Sequence, residues 1–255
     1  MPFRLGTNRI GRLIVGVSGP AIYTTRSLAV YFDTSDSTSF TPGDTEITSI
    51  DTYSLLTNKT GSFGGTLTSG SISGNNFLSF NGTNSYIDLT GESTMTANAT
   101  SGSIEMWVSS SYIANVGIFD EPLIFHTQDS RDKGIFYGGN GTSEKVGGIQ
   151  YYDGVSPVYS PSTTSVTGGW HQIVYTYDLT GGTHRLYLDG SQVNTYSLTG
   201  TPGGIADVTS IGRGNGPLAG RYAEMDFMIC RIYDDELTAD EVLNNFNVDK
   251  SKVGL

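Results

Sequence analysis

Apolar and polar positions alternate in short runs along most of this chain, and Gly, Asn, Asp, Ser and Pro punctuate the runs. Residues 27–32 form the first strong apolar run and predict a strand, and "TSDSTSFTPGDTE" after it predicts a loop. Residues 77–80 and 86–89 flank the turn residues "NGTNS", a pattern that predicts a β-hairpin. In residues 103–110, Ile104, Met106 and Val108 share one face, while Glu105, Trp107 and Ser109 share the other. Both faces are partly apolar, which places this strand in the middle of a sheet. Further strands are expected at residues 123–126, 134–137 and 148–152, and in the stretch "GGWHQIVYTYDLTGGTHRLYLDG" with its continuation to residue 196. Many short strands with turn signals between them predict a β-sandwich or barrel.

Two turns inside that stretch are legible. Gly181-Gly182 and Asp189-Gly190 fold it into a three-stranded meander, because Gly tolerates positive φ and Asp tolerates the position before it. If Gly181-Gly182 centres its turn, His184 lies opposite Leu179, with His171 roughly 26 Å further down the strand at ~3.3 Å per residue. The two histidines therefore cannot share a site, and Trp170 reads as a packing residue at strand entry. The pattern changes period once, in "LTADEVLNNF". There Thr238 and Glu241 form a T-x-x-E capping box, and Leu237, Val242, Leu243 and Phe246 supply an apolar stripe. This short helix is expected to close one end of the sandwich.

Composition supports strands and turns: among 255 residues there are 34 Gly, 15 Tyr and 11 Phe, and only 15% are charged. The net charge of −11 argues against a nucleic-acid partner, since phosphate contacts need clustered Lys and Arg. Residues 1–26 oppose the trend. They hold Arg4, Arg9, Arg12 and Arg26 and no acid, so they read as a basic arm docking on an acidic partner or as a solvated terminus. The expected division is an attachment arm over residues 1–26 and one domain over residues 27–255. Gly16, Ser18, Gly19 and Pro20 interrupt the apolar run that a secretion signal would need, and no run reaches the ~20 apolar residues of a membrane-spanning helix. Cys230 is the only cysteine, and it reads as a small buried strand residue.

The ordered set "FNGTNSYIDL", "SGSIEMWV", "WHQIVYTYD", "LYLDGSQV" and "ICRIYDDELTADEV" resembles the laminin-G-like branch of the concanavalin A-like lectin and glucanase superfamily. The resemblance implies an all-β fold: two antiparallel sheets stacked as a jelly roll, with the short C-terminal helix and the N-terminal arm outside it. The segment "SLAVYFDTSDSTSFTPGDT" and the Gly-interrupted arm before it are similar to virion proteins of tailed bacteriophages, especially marine ones. That similarity implies a virion structural protein decorating a capsid or tail. Its partners would be other virion proteins through the arm, host-surface glycans, and further copies of itself.

Glycosidases occur in the superfamily, and their catalytic strand reads E-x-D-x-E or one residue longer, which sets two carboxylates about 5–5.5 Å apart. Here "AEMDFMIC" supplies Glu224 and Asp226, while Met228 and Ile229 stand where the second glutamate belongs. A non-enzymatic role is therefore expected. For glycans, "GGIQYYDG" and "VSPVYSP" offer Tyr151, Tyr152, Asp153 and Tyr159, aromatic faces beside a polar group. Domains of this type hold calcium at one rim, and in "HTQDSRDKG" the candidate ligands are Gln128, Asp129 and Asp132, with backbone and water completing six to eight oxygens. The alternatives are a secreted, calcium-assisted lectin and a glycosidase, or simply a solvated loop in which Arg131 and Lys133 pair the acids.

Overall fold

A computed structural model describes residues 23–50, 59–89, 100–110, 121–127, 133–139, 144–152, 155–166, 168–197, 208–214 and 219–255. In chain order the strands are β1 (Leu28–Asp33), β2 (Glu46–Thr48), β3 (Thr60–Gly64), β4 (Thr68–Ile72), β5 (Asn75–Asn81), β6 (Tyr86–Asp88), β7 (Ser101–Ser109) and β8 (Glu121–Thr127). They continue as β9 (Lys133–Gly139), β10 (Glu144–Tyr152), β11 (Val155–Ser165), β12 (Trp170–Asp178), β13 (Thr183–Leu188), β14 (Ser191–Ser197), β15 (Val208–Ile211) and β16 (Glu224–Tyr233). One α-helix, α1 (Ala239–Asp249), and a 3-10 turn (Lys250–Val253) end the chain.

The strands form two eight-stranded antiparallel sheets, as the jelly-roll expectation requires. The first runs β14-β13-β12-β7-β16-β5-β4, with β1 also on β16; the second runs β11-β10-β9-β8-β15-β6-β3-β2. Along β16, residues 224–227 pair with β5 and residues 229–233 pair with β1, so β1 and β5 lie end to end on one edge of it. Alternation fills the space between the sheets with Ile104, Met106 and Val108 from β7, Ile173, Tyr175 and Tyr177 from β12, and Phe227, Cys230 and Ile232 from β16. Buried Cys230 fits its expected role, and burial pushes its thiol far above the usual range.

Three details differ from expectation. "NGTNS" does not close a hairpin, because β5 and β6 belong to opposite sheets. The Asn81 Oδ1 accepts from the backbone N–H groups of Thr83, Asn84 and Ser85, and this Asx-type turn redirects the chain from one sheet to the other. Second, His184 pairs with Tyr177 rather than facing Leu179, since the turn after Asp178 has four residues; Asp178 caps it by accepting from the N–H of Thr180 and of Gly181. A shift of two keeps the face unchanged. His171 contacts Asp189 at 2.8 Å and His184 contacts the Tyr175 hydroxyl at 2.8 Å, so the two histidines serve separate places. The Asp189-Gly190 hairpin turn holds as read, with both residues at positive φ.

The third difference is the helix. Its capping box forms between Thr238 and Glu241, but α1 lies on the outer face of the first sheet instead of closing an end. Trp107, Trp170, Val174, Tyr187, Met228 and Tyr233 point outward and pack with Leu237, Val242 and Val253 in a second apolar layer. The Phe246 ring stacks on Trp107 with centroids 5.7 Å apart, whereas Leu243 is exposed. A bulge between Phe227 and Ile229 turns Met228 and Ile229 to the same outer side.

Beneath the helix lies a buried charge network. Arg231, fully buried, donates from Nη1 to Glu105 at 3.1 Å and pairs with Asp249 at 2.7 Å. Its guanidinium lies over the rings of both Tyr23 and Tyr31, 4.3 and 4.4 Å from their centroids. Glu105 also accepts from Gln172 at 2.8 Å and from Asn245 at 2.7 Å. Lys252 joins Asp33 at 2.5 Å and Asp249 at 3.1 Å. Burial works to raise the Asp33 carboxyl, but Lys252, Ser35 and Tyr31 hold it below its usual range.

Removing one member of such a network leaves its partners charged and dry. Arg231→Met is expected to cost about 3–5 kcal/mol of stability in guanidinium denaturation followed by circular dichroism. Adding Glu105→Gln and Asp249→Asn is expected to recover part of that loss. A triple variant weaker by the sum of the single losses would refute the coupling.

Candidate functional site

The helix covers only part of the outer sheet face. At the other end of β16 no described element covers the same face, and the strand register lines up a row of side chains across five strands. Thr68 on β4 pairs with Ser79 on β5, Ser79 with Asp226 on β16, Asp226 with Ser109 on β7, and Ser109 with Trp170 on β12. Alternation turns Met225 and Phe227 into the core, so Glu224 and Asp226 face outward. Ser79, Ser109, Glu224 and Asp226 line a cleft of about 440 Å³, with Ser110, Gly168 and Gly169 at its rim.

Local structure fixes the cleft walls. The Ser110 Oγ donates to the Glu224 carbonyl at 2.9 Å, and the Gly168 N–H donates to the Ser110 carbonyl at 3.0 Å, tying the strand ends of β7, β12 and β16 together. Gly168 and Gly169 both have positive φ, and open space surrounds the position a Cβ would take, so backbone angle rather than crowding calls for glycine there. Phe77 from β5 meets Trp170 edge to face, centroids 5.6 Å apart, on the same outer face. Trp170 is thus the packing residue that was expected.

The Ser79 Oγ donates to Asp226 Oδ1 at 2.5 Å. Burial raises the Asp226 carboxyl above its usual range despite that bond. The Glu224 carboxylate and the second Asp226 oxygen hold no partner among the described residues. The arrangement offers hydroxyls from Ser79 and Ser109, an exposed carboxylate from Glu224 and a half-buried one from Asp226 on one rigid sheet face. Such a surface suits a polyhydroxylated ligand, whose hydroxyls are donors and acceptors and whose ring faces are apolar.

The sequence pointed elsewhere. Tyr151, Tyr152 and Tyr159 fall on β10 and β11, where Tyr152 pairs with Val155 and Ile149 with Tyr159. Only their backbone is described, and Asp153, Gln128, Asp129 and Asp132 lie outside the described residues. Among the described residues, no group of three or more His, Cys, Asp and Glu stands close enough to hold a metal ion. No helix among them is long and apolar enough to cross a membrane. Arg4, Arg9 and Arg12 also lie outside. Arg26 is tied to the domain itself: it pairs with Asp235 and with Glu241 at 2.9 Å, and donates to the Glu236 carbonyl at 2.9 Å. Arg26 in turn holds the Glu241 carboxyl down to about 2.

Two stacked sheets with an open polar cleft on one outer face define a lectin-like jelly-roll domain. The chain belongs to the concanavalin A-like lectin/glucanases superfamily, whose laminin G-like family model matches residues 81–243. No curated protein matches the chain at significance. Among solved structures, the receptor-binding domain of the botulinum neurotoxin C/D mosaic serotype is similar with a TM-score of 0.65 and 13% identity, covering 88% of this chain and 52% of that one. The botulinum neurotoxin DC binding domain in complex with rat synaptotagmin II gives 0.65, 13%, 87% and 51%. This chain therefore spans about half the length of the neurotoxin domains. Domain 4 of a GH43 extracellular arabinanase from Geobacillus stearothermophilus, in complex with arabinotriose, gives a TM-score of 0.57 and 17% identity, covering 86% of this chain and 98% of that one. At these identities the likeness is one of fold.

Because the folded state raises the Asp226 carboxyl, its contribution to stability is full below about pH 3.8, the unfolded value, and is lost as pH rises through the higher folded value. Asp226→Asn keeps the acceptor for Ser79 and stays neutral. It is expected to be more stable than the parent at pH 7, by about 0.5–1 kcal/mol, and equal to it at pH 3, as read from urea midpoints. An equal difference at both pH values would refute this.

Proposed function

We propose that the domain is a non-enzymatic glycan-binding module, that its site is the cleft over β5, β16 and β7 bounded by Gly168 and Gly169, and that a phage particle displays it. The observation that carries the binding reading is the transverse row Ser79, Asp226, Ser109, which sets hydroxyl and carboxylate oxygens side by side along the wall of the cleft. Superfamily membership supports it, and a fold neighbour solved with arabinotriose is consistent with it.

The non-enzymatic reading rests on β16. Glycoside hydrolysis of the E-x-D-x-E type needs a second carboxylate beyond Asp226, and Met228 at that position is buried in the apolar layer under α1. Binding alone is then the activity, and many copies on one particle convert weak contacts into avidity.

Display on a virion rests on the N-terminal sequence. Residues 23–26 are held on the domain: Thr24 donates its N–H to Asn245 at 2.6 Å and accepts from the Tyr233 hydroxyl at 3.2 Å. The Tyr23 ring packs at a tilt against Tyr31, centroids 4.7 Å apart, and Arg26 clamps the helix cap.

A glycan array probed with the whole protein, with and without chelator, tests binding and separates a calcium-assisted site. Saturable binding that Ser109→Tyr reduces at least tenfold, by filling the cleft, is expected; binding unaffected by that variant would place the site elsewhere. Deleting residues 2–22 is expected to leave the circular dichroism spectrum of the domain intact and to abolish incorporation into particles. Normal incorporation of the truncated chain would refute the arm.

A further inference from the structure

The chemistry of the cleft narrows its ligand, and this step rests on the glycan-binding reading. Glu224 and Asp226 stand two residues apart on one face of β16, and the described residues lining the cleft include no Lys, Arg or His. Two other acids that lose water on folding have cations: half-buried Asp88 is held by Arg213 at 2.7 and 2.8 Å, and buried Asp33 by Lys252. Asp226 differs, since its single protein partner among the described residues is a neutral hydroxyl, Ser79. A half-buried carboxylate without a counter-charge costs stability, and that cost is offset when a bound cation arrives. The cleft wall adds hydroxyls from Ser79 and Ser109, which suit the ring hydroxyls of a sugar but give no reason for two acids.

We infer that the cleft selects an amino sugar carrying a free ammonium group, which sits between the carboxylates of Glu224 and Asp226, and that it rejects uronic and other acidic sugars. An N–H of the ammonium donates to the open Asp226 oxygen and another donates to Glu224, charge-assisted bonds that an N-acetyl group cannot make. A carboxylate-bearing sugar in the same place meets two like charges in a partly dry cleft.

Calorimetric titration of the whole protein at pH 6 and low salt tests this with four trisaccharides: β-1,4-linked glucosamine, its N-acetylated form, a neutral glucan and a galacturonate. The glucosamine trimer is expected to bind at least tenfold more tightly than the other three, and Asp226→Asn and Glu224→Gln are each expected to remove most of that preference. The Asn variant retains the Ser79 acceptor, and its circular dichroism spectrum reports that it is folded. Equal binding of the N-acetylated or neutral trimer, abolished by Ser109→Tyr, would overturn the ammonium assignment while the glycan site stands. A lysine-containing tripeptide that binds as tightly as the glucosamine trimer would overturn the assignment to a sugar. Binding of none of the four trimers would remove the inference and would count against the cleft as a glycan site.

Discussion

The domain depends on one buried guanidinium. Arg231 projects from the outer face of a central strand, where an antiparallel sheet would ordinarily meet water. It is fully buried because α1 and the N-terminal base cover it, and its partners come from four different parts of the chain: Glu105 on β7, Asp249 at the end of α1, and the rings of Tyr23 and Tyr31. A charge in that position demands partners with fixed geometry. Each partner is therefore held in place by the same requirement that it serves. Gln172 donates to the same Glu105 oxygen as Arg231, Asn245 donates to the other, and Lys252 bridges Asp33 and Asp249 below the last turn.

This constraint makes the molecule three-layered. Two sheets enclose one apolar core, and the first sheet encloses a second with the helix. Apolar burial drives both layers, at roughly 25 cal/mol per Å². It does not by itself fix where along the sheet the helix sits, because apolar contacts are non-directional. The polar bonds do fix it. Asn245 and Asp249 lie four residues apart on one side of α1, and both reach down to charged groups on the strands.

Much of the frame was legible in the sequence. Alternation in β7 and β12, the Asp189-Gly190 turn and the Thr238 capping box carry local signals, and each forms as read. The position of the helix was not legible. Glu105, Arg231, Gln172 and Asp249 read as solvent-facing in a single sequence, and only a covering layer makes them buried. β3 escaped for a different reason: its glycines look like loop, yet the Tyr86 ring and the Ile87 side chain occupy the space where Cβ atoms of Gly64 and Gly61 would stand. β11 escaped because Pro157 and Pro161 argue against a central strand, and it is an edge strand, where Pro is tolerated. The candidate site was missed because Ser79, Ser109 and Asp226 are far apart in sequence and meet only through strand order. The partial match "AEMDF" was a real signal of an outward-facing acid pair, and the missing second glutamate argued against a catalytic site while leaving a binding site open.

The same network that buries Arg231 also leaves the cleft open. Downstream of the bulge at Met228, outward positions on β16 are apolar or paired and lie under α1; upstream of it, Glu224 and Asp226 face the cleft. The bulge marks the change from a structural half of the sheet to an exposed half. Because the helix is pinned by ionic contacts, it cannot slide toward Asp226 and cover the row of hydroxyls. Because Ser79, Asp226 and Ser109 stand on three hydrogen-bonded strands, their oxygens keep their spacing without a ligand, and the binding proposed for the cleft would cost little reorganisation. A buried charge network at one end of β16 and a polar cleft at the other are two consequences of a helix that covers part of one sheet face.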